Sequence, residues 1–119
     1  MSGSITKYMA ILVAVLLLPT LVLAQGSPAK GKDLYAKQCA GCHGPAGKGD
    51  GPAAAAINPK PTDFTNKALM TALKDQYLFD LIQKGGTAVG KSPLMTPFSS
   101  KLKDGEIRDV IAYVRSLTK

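Results

Sequence analysis

The sequence predicts a small all-α domain, on three observations. Ile107, Val110, Ile111, Val114 and Leu117 fall at i, i+3, i+4, i+7 and i+10, which is the apolar stripe of an amphipathic helix. Leu78, Leu81 and Ile82 repeat the helical spacing and are followed by Gly85-Gly86, a helix stop with a left-handed terminus. No segment alternates apolar and polar residues convincingly enough for a strand, and there is no internal repeat. At 119 residues the chain holds one such domain.

The elements follow in order. Lys7, the apolar run Met9 to Leu18, Pro19 and then Val22-Leu23-Ala24 have the pattern of a secretory signal peptide over residues 1–24, cut after Ala24. The alternative is an uncleaved membrane anchor, for which the apolar stretch is short and broken by Pro19. Residues 25–119 then form the domain. Gln25 to Lys32 is a Gly/Ser/Pro/Lys lead-in, and a first helix runs from Pro28 or Ala29 to about Cys39. Gly31 lies within it, one turn from Tyr35, and suggests either close contact with another helix or a frayed start. Gly44 to Pro52 is too rich in Gly and Pro for regular structure. It is not a phosphate loop, because Gly49 stands where Ser or Thr must follow Lys48. Ala53 to Ile57 suits a short turn, and Asn58 to Phe64 is extended, because residues preceding proline are pushed out of helical geometry. Thr65 or Asn66 caps a helix to about Leu73, and Lys74-Asp75 opens the next. Thr87 to Ser92 reads as irregular, and Lys103 to Glu106 opens the closing helix.

The chemistry is concentrated at Cys39-Ala40-Gly41-Cys42-His43. This is C-x-x-C-H, the mark of a covalently attached c-type haem, and it uses both cysteines and the one histidine of the chain. Two thiols three positions apart reach two vinyl groups on one side of a porphyrin, and the next residue supplies an imidazole to the iron. Other uses fit less well. A disulfide across so short a loop constrains little chain entropy. A thioredoxin-like pair needs a βαβ context that the flanking helix and Pro-rich loop do not offer. Structural zinc wants four ligands where only three Cys/His exist. A carbonyl of the 58–64 loop is placed to accept from the imidazole N–H that turns away from iron, Pro61 first and Pro59 second.

With no second histidine, the sixth iron ligand falls to methionine, and Met1 and Met9 leave with the leader. Met70 lies between Leu69 and Thr71 in a helix, where methionine is usually core filler. Met95 lies between Pro93 and Pro97, in a loop that cannot be regular helix and is stiffened enough to hold a thioether. Met95 is therefore favoured over Met70; a lysine ligand or an open site are the other options. A neutral thioether opposite imidazole raises the reduction potential and fills the coordination sphere, which points to electron transfer.

The chain carries net charge +7, and loss of residues 1–24 removes Lys7 and no acid, leaving +6. A modestly basic surface suits docking on acidic redox partners. No array of aromatic and basic residues suggests nucleic acid. With three Phe and no Trp the apolar material is limited, so a buried porphyrin supplies much of the core and the haem-free chain is expected to fold poorly.

Cys39-Ala40-Gly41-Cys42-His43-Gly44, Leu94-Met95-Thr96-Pro97-Phe98 and the closing Val110 to Leu117 segment resemble the bacterial class I monohaem cytochromes c. The resemblance covers nearly the whole chain after the leader, with Thr96 standing where family patterns often place proline directly after the methionine. It implies about four to five helices wrapped around one covalent haem c, with the first and last helices crossing beside it and Gly31 and Tyr35 meeting the Val110 to Tyr113 region. It implies Cys39, Cys42, His43 and Met95 as haem-binding residues, with His43 and Met95 on the metal. It also implies a periplasmic one-electron carrier, monomeric and not an enzyme, membrane-bound only if the leader stays. Lys48, Lys60, Lys91, Lys101 and Lys103 are candidates to ring the exposed haem edge, against the alternative that each is ordinary solvated charge. Two further functions fit the same residues: a dedicated cytochrome subunit of a periplasmic dehydrogenase or membrane oxidase, and a haem sensor or enzyme with a labile sixth site.

Overall fold

Residues 26–119 are described by a computed structural model; the leader expected over residues 1–24 lies outside the described residues. Five α-helices make up the regular structure, and there is no strand among the described residues. They are α1 (Pro28–Gln38), α2 (Ala40–His43), α3 (Lys67–Ala72), α4 (Asp75–Lys84) and α5 (Asp104–Ser116). Short 3-10 turns at Ala54–Ala56 and Gly86–Val89 punctuate the connections.

α1 begins where the sequence provides a cap and a proline. The Ser27 hydroxyl accepts from the Lys30 N–H at 3.3 Å, and Pro28 occupies the first turn, where its missing N–H costs nothing. Its inner face is Gly31 and Tyr35, and that face packs on α5. Gly31 is a contact glycine: a Cβ there would stand 1.9 Å from the Asp109 carbonyl oxygen. The Ser27 N–H also donates to the Asp109 carboxylate at 2.6 Å, fixing the start of α1 to the middle of α5.

α5 buries Ile107, Val110, Ile111 and Val114, the expected stripe, and its first turn is closed by the Lys103 N–H donating to the Glu106 carboxylate at 2.7 Å. Near its end, the Arg115 guanidinium donates to the Met70 and Leu73 carbonyls and pairs with the Asp75 carboxylate at 2.7 Å. A helix of only six residues leaves most of its last carbonyls without internal partners, and α3 borrows its donors from α5 in this way.

α3 is capped by Asn66, whose side chain accepts from the Leu69 N–H at 3.1 Å. Met70 is fully buried within it, as core filler. The end of α4 departs from the expected left-handed terminus. Gly85 has φ 86° but ψ 170°, so the chain leaves extended and enters the Gly86–Val89 turn, part of a stretch expected to be irregular. Tyr35 ties the two halves of the core: its ring stands edge-on to Tyr113 at 5.1 Å and to Phe64 at 6.3 Å.

Candidate haem site

α2 is a single turn carrying the C-x-x-C-H residues, and the glycine-rich loop after it folds back over its end. The Gly49, Gly51 and Ala53 N–H groups donate to the carbonyls of His43, Cys42 and Gly41 at 2.8, 3.0 and 3.0 Å. Those are the carbonyls that so short a helix leaves unpaired. Gly51 has no alternative residue here, since a Cβ would lie 2.4 Å from the Gly41 oxygen. The Tyr35 hydroxyl donates to the Gly44 carbonyl at 2.6 Å from within the core, and burial raises its pKa well above the usual phenol value.

His43 is held in plane and face. Its Nδ1 lies 3.1 Å from the Thr62 carbonyl oxygen. A carbonyl only accepts, so Nδ1 carries the hydrogen and the lone pair sits on Nε2. The ring stacks on Phe64 with centroids 4.5 Å apart and planes 20° from parallel. Burial lowers the imidazole pKa, against an opposing contribution from the Thr62 bond, so the ring is in the neutral form that binds metals. The acceptor is Thr62, not Pro61 or Pro59. The Pro61 carbonyl is turned toward Gly49, where a Cβ would come within 2.4 Å of it, and the next carbonyl is the one left to face the ring.

Met95 is held by hydrogen bonds of its own backbone. Its carbonyl accepts from the Gly86 N–H at 2.7 Å, and its N–H donates to the Ser92 carbonyl at 3.1 Å. The Leu94 N–H donates to the Ser92 hydroxyl at 3.2 Å, closing the same turn, and Ser92 is buried. Farther along, the Phe98 N–H donates to the Ile82 carbonyl at 3.0 Å, so the loop is laid along the end of α4.

Cys39, Cys42, His43 and Met95 line one cavity of about 280 Å³, and Met70 does not. Leu78 and Ile82 of α4, Ile111 and Val114 of α5, and Phe98 form its apolar walls. The two thiols are unpaired, and burial, reinforced by Cys42 beside it, pushes the Cys39 thiol up to about 12. Lys60, Lys91 and Lys101 also line the cavity, whereas Lys48 and Lys103 do not. Apolar walls, two thiols, a neutral imidazole with a spare lone pair and a soft thioether are a donor set that fits haem. Phe64 and Thr62 carried no sequence signal as members of the site; one acts through its backbone, and the other reads as an ordinary core aromatic.

The cytochrome c family profile matches residues 28–118. The chain belongs to the cytochrome c family. Its cofactor is a covalently bound c-type haem, and haem-based electron transfer is the chemistry of the family. The chain is 30% identical to cytochrome c-554(547) of Halothiobacillus neapolitanus over 94 residues, covering 77% of this cytochrome and 98% of the relative. Its fold is shared with the KustC0563 c-type cytochrome (TM-score 0.62, 24% identity, 75% of this chain and 98% of that one). A chain of the Kuenenia stuttgartiensis reducing HAO-like protein complex Kustc0457/Kustc0458 is also similar, with TM-score 0.61 and 27% identity. That match covers 75% of this cytochrome and 41% of the other chain.

Proposed function

We propose that the protein is a periplasmic one-electron carrier, exported by a leader over residues 1–24, that does not itself catalyse a substrate reaction. In this reading Cys39 and Cys42 hold the haem through thioether bonds, and His43 Nε2 and the Met95 sulfur bind its iron. The observation that carries it is that Cys39, Cys42, His43 and Met95 share one cavity while Met70, the other methionine of the domain, is sealed in the core. When bound, the haem supplies a one-electron couple. The chain's part is to keep the imidazole neutral, hold both donors still and wall the iron off from water. Two protein donors, His43 and Met95, would leave the metal no position open to a substrate or gas, which suits a carrier and disfavours a sensor with a labile sixth site. Lys60, Lys91 and Lys101 at the cavity mouth suit an acidic redox partner, and such docking weakens as salt is added.

Met95→Ala is expected to abolish the weak sulfur-to-iron absorption band of the ferric protein and to let the reduced form bind carbon monoxide. Met70→Ala is expected to keep the band and lose about 2–5 kcal/mol of stability as a core truncation. The reverse pattern sinks the assignment. A second reading, a cytochrome subunit held permanently in a larger redox assembly, is favoured by the similarity to a chain of the reducing HAO-like complex. Size exclusion of native extract with haem staining separates the two: a carrier elutes alone, a subunit with its large partner.

A further inference from the structure

The His43 ring has two restraints of different kinds, and the second is not explained by holding a proton. A single hydrogen bond from Nδ1 to the Thr62 carbonyl at 3.1 Å leaves the imidazole free to swing about the N–H···O line. The face of Phe64, 4.5 Å away and 20° from parallel, removes that freedom. Phe64 is itself unable to follow the ring. It is buried, its N–H donates to the Gly47 carbonyl at 2.7 Å, and its carbonyl accepts from the Thr118 hydroxyl at 3.1 Å. The edge of Tyr35 closes it from another side.

We infer that Phe64 is a positioning residue for the metal site: its face sets the plane in which the His43 imidazole meets the iron. This rests on the proposed role of His43 as a ligand. With haem bound, the orientations of the imidazole plane and of the thioether lone pair would together set how unpaired spin spreads over the four sides of the ferric haem, so turning the imidazole while the sulfur stays would redistribute it. That distribution is read directly as the proton shifts of the four haem methyl groups.

The test uses the oxidised holoprotein. Phe64→Leu, which keeps bulk but loses the flat face, is expected to reorder or compress the four methyl resonances while the sulfur-to-iron band persists. Phe64→Tyr, which keeps the ring, is expected to retain the wild-type pattern. Ser27→Ala removes the cap of α1 without touching either stacked ring or its bonds, and is expected to lower thermal stability and leave the pattern alone. If Phe64→Leu does not accumulate as holoprotein, Phe64→Met is read in its place. A wild-type pattern in Phe64→Leu or Phe64→Met overturns the inference, and so does an equal change in Ser27→Ala, which marks the change as a consequence of lost stability alone. Failure of the ligand reading looks different: His43→Ala then leaves the low-spin spectrum intact.

Discussion

The two proposed iron donors are held by opposite means. His43 is fixed through its side chain: a carbonyl in its plane, an aromatic on its face, and a loop stitched behind it by the Gly49 and Gly51 N–H groups. Met95 is fixed through its main chain, by Gly86 and Ser92, and its side chain lies at the edge of the core. The difference follows from the donors. An imidazole binds along one direction and must be aimed, whereas a thioether on three rotatable bonds adapts once its Cα is in range. The nitrogen side is therefore sensitive to side-chain changes, and the sulfur side to backbone changes.

The largest effect is expected from removing what the two sides share. Cys39→Ala/Cys42→Ala, which prevents attachment, leaves the apolar walls of the site of about 280 Å³ without their bound partner. Those walls are a large share of the apolar surface of a domain this small, whose stability is marginal. Far-UV circular dichroism should show major loss of helix, with residual amide protection at the crossing of α1 and α5 and none in the 92–98 loop. Native helix content in that variant breaks the account. Next in size is Gly86→Ala. The added Cβ would meet the Ser92 carbonyl at 2.1 Å, so the turn carrying Met95 must shift. The sulfur-to-iron band should weaken or vanish while haem attachment and the His43 environment persist; an unchanged band shows that the loop adapts. The smallest effect is on the nitrogen side. Bonds from the Thr65 hydroxyl and N–H hold the Asp63 carboxyl below its usual pKa, next to the residues that contact His43. A folded-state value below the unfolded one (~3.9) gives stability that is present above that value and lost as pH falls through the depressed one. Asp63→Ala should flatten that acid limb slightly, measured as melting temperature between neutral pH and about pH 3. An identical limb removes Asp63 from the account.

How much of this was legible depends on whether side chain or backbone carries the information. C-x-x-C-H, the Pro-flanked Met95 and the stripe on α5 are side-chain patterns; the stripe is buried as its spacing predicts, and the C-x-x-C-H residues and Met95 line one cavity. The hydrogen-bond partner of His43 is a carbonyl, which every residue of the 58–64 loop owns. Proline positions show that the loop is extended, but not which carbonyl turns toward the ring. The terminus of α4 departs from the expected left-handed one for a similar reason: two glycines announce a positive φ, while ψ is set by where the chain must go next, here toward Met95. Arg115 carries no sequence signal beyond its charge. Its bonds to the ends of α3 and α4 join positions 40 to 45 residues apart, a separation at which no local pattern speaks.

The meeting of α1 and α5 has a kinetic side. Ser27 and Asp109, bonded across the crossing, stand 82 positions apart in sequence. Bringing such distant segments together is the slow, entropically expensive event in folding, and its cost grows only logarithmically with the length enclosed. Once the noose is drawn, everything between, including both iron donors, searches a confined volume. A side chain at Gly31 would block the knot itself, and should slow refolding far more than it speeds unfolding.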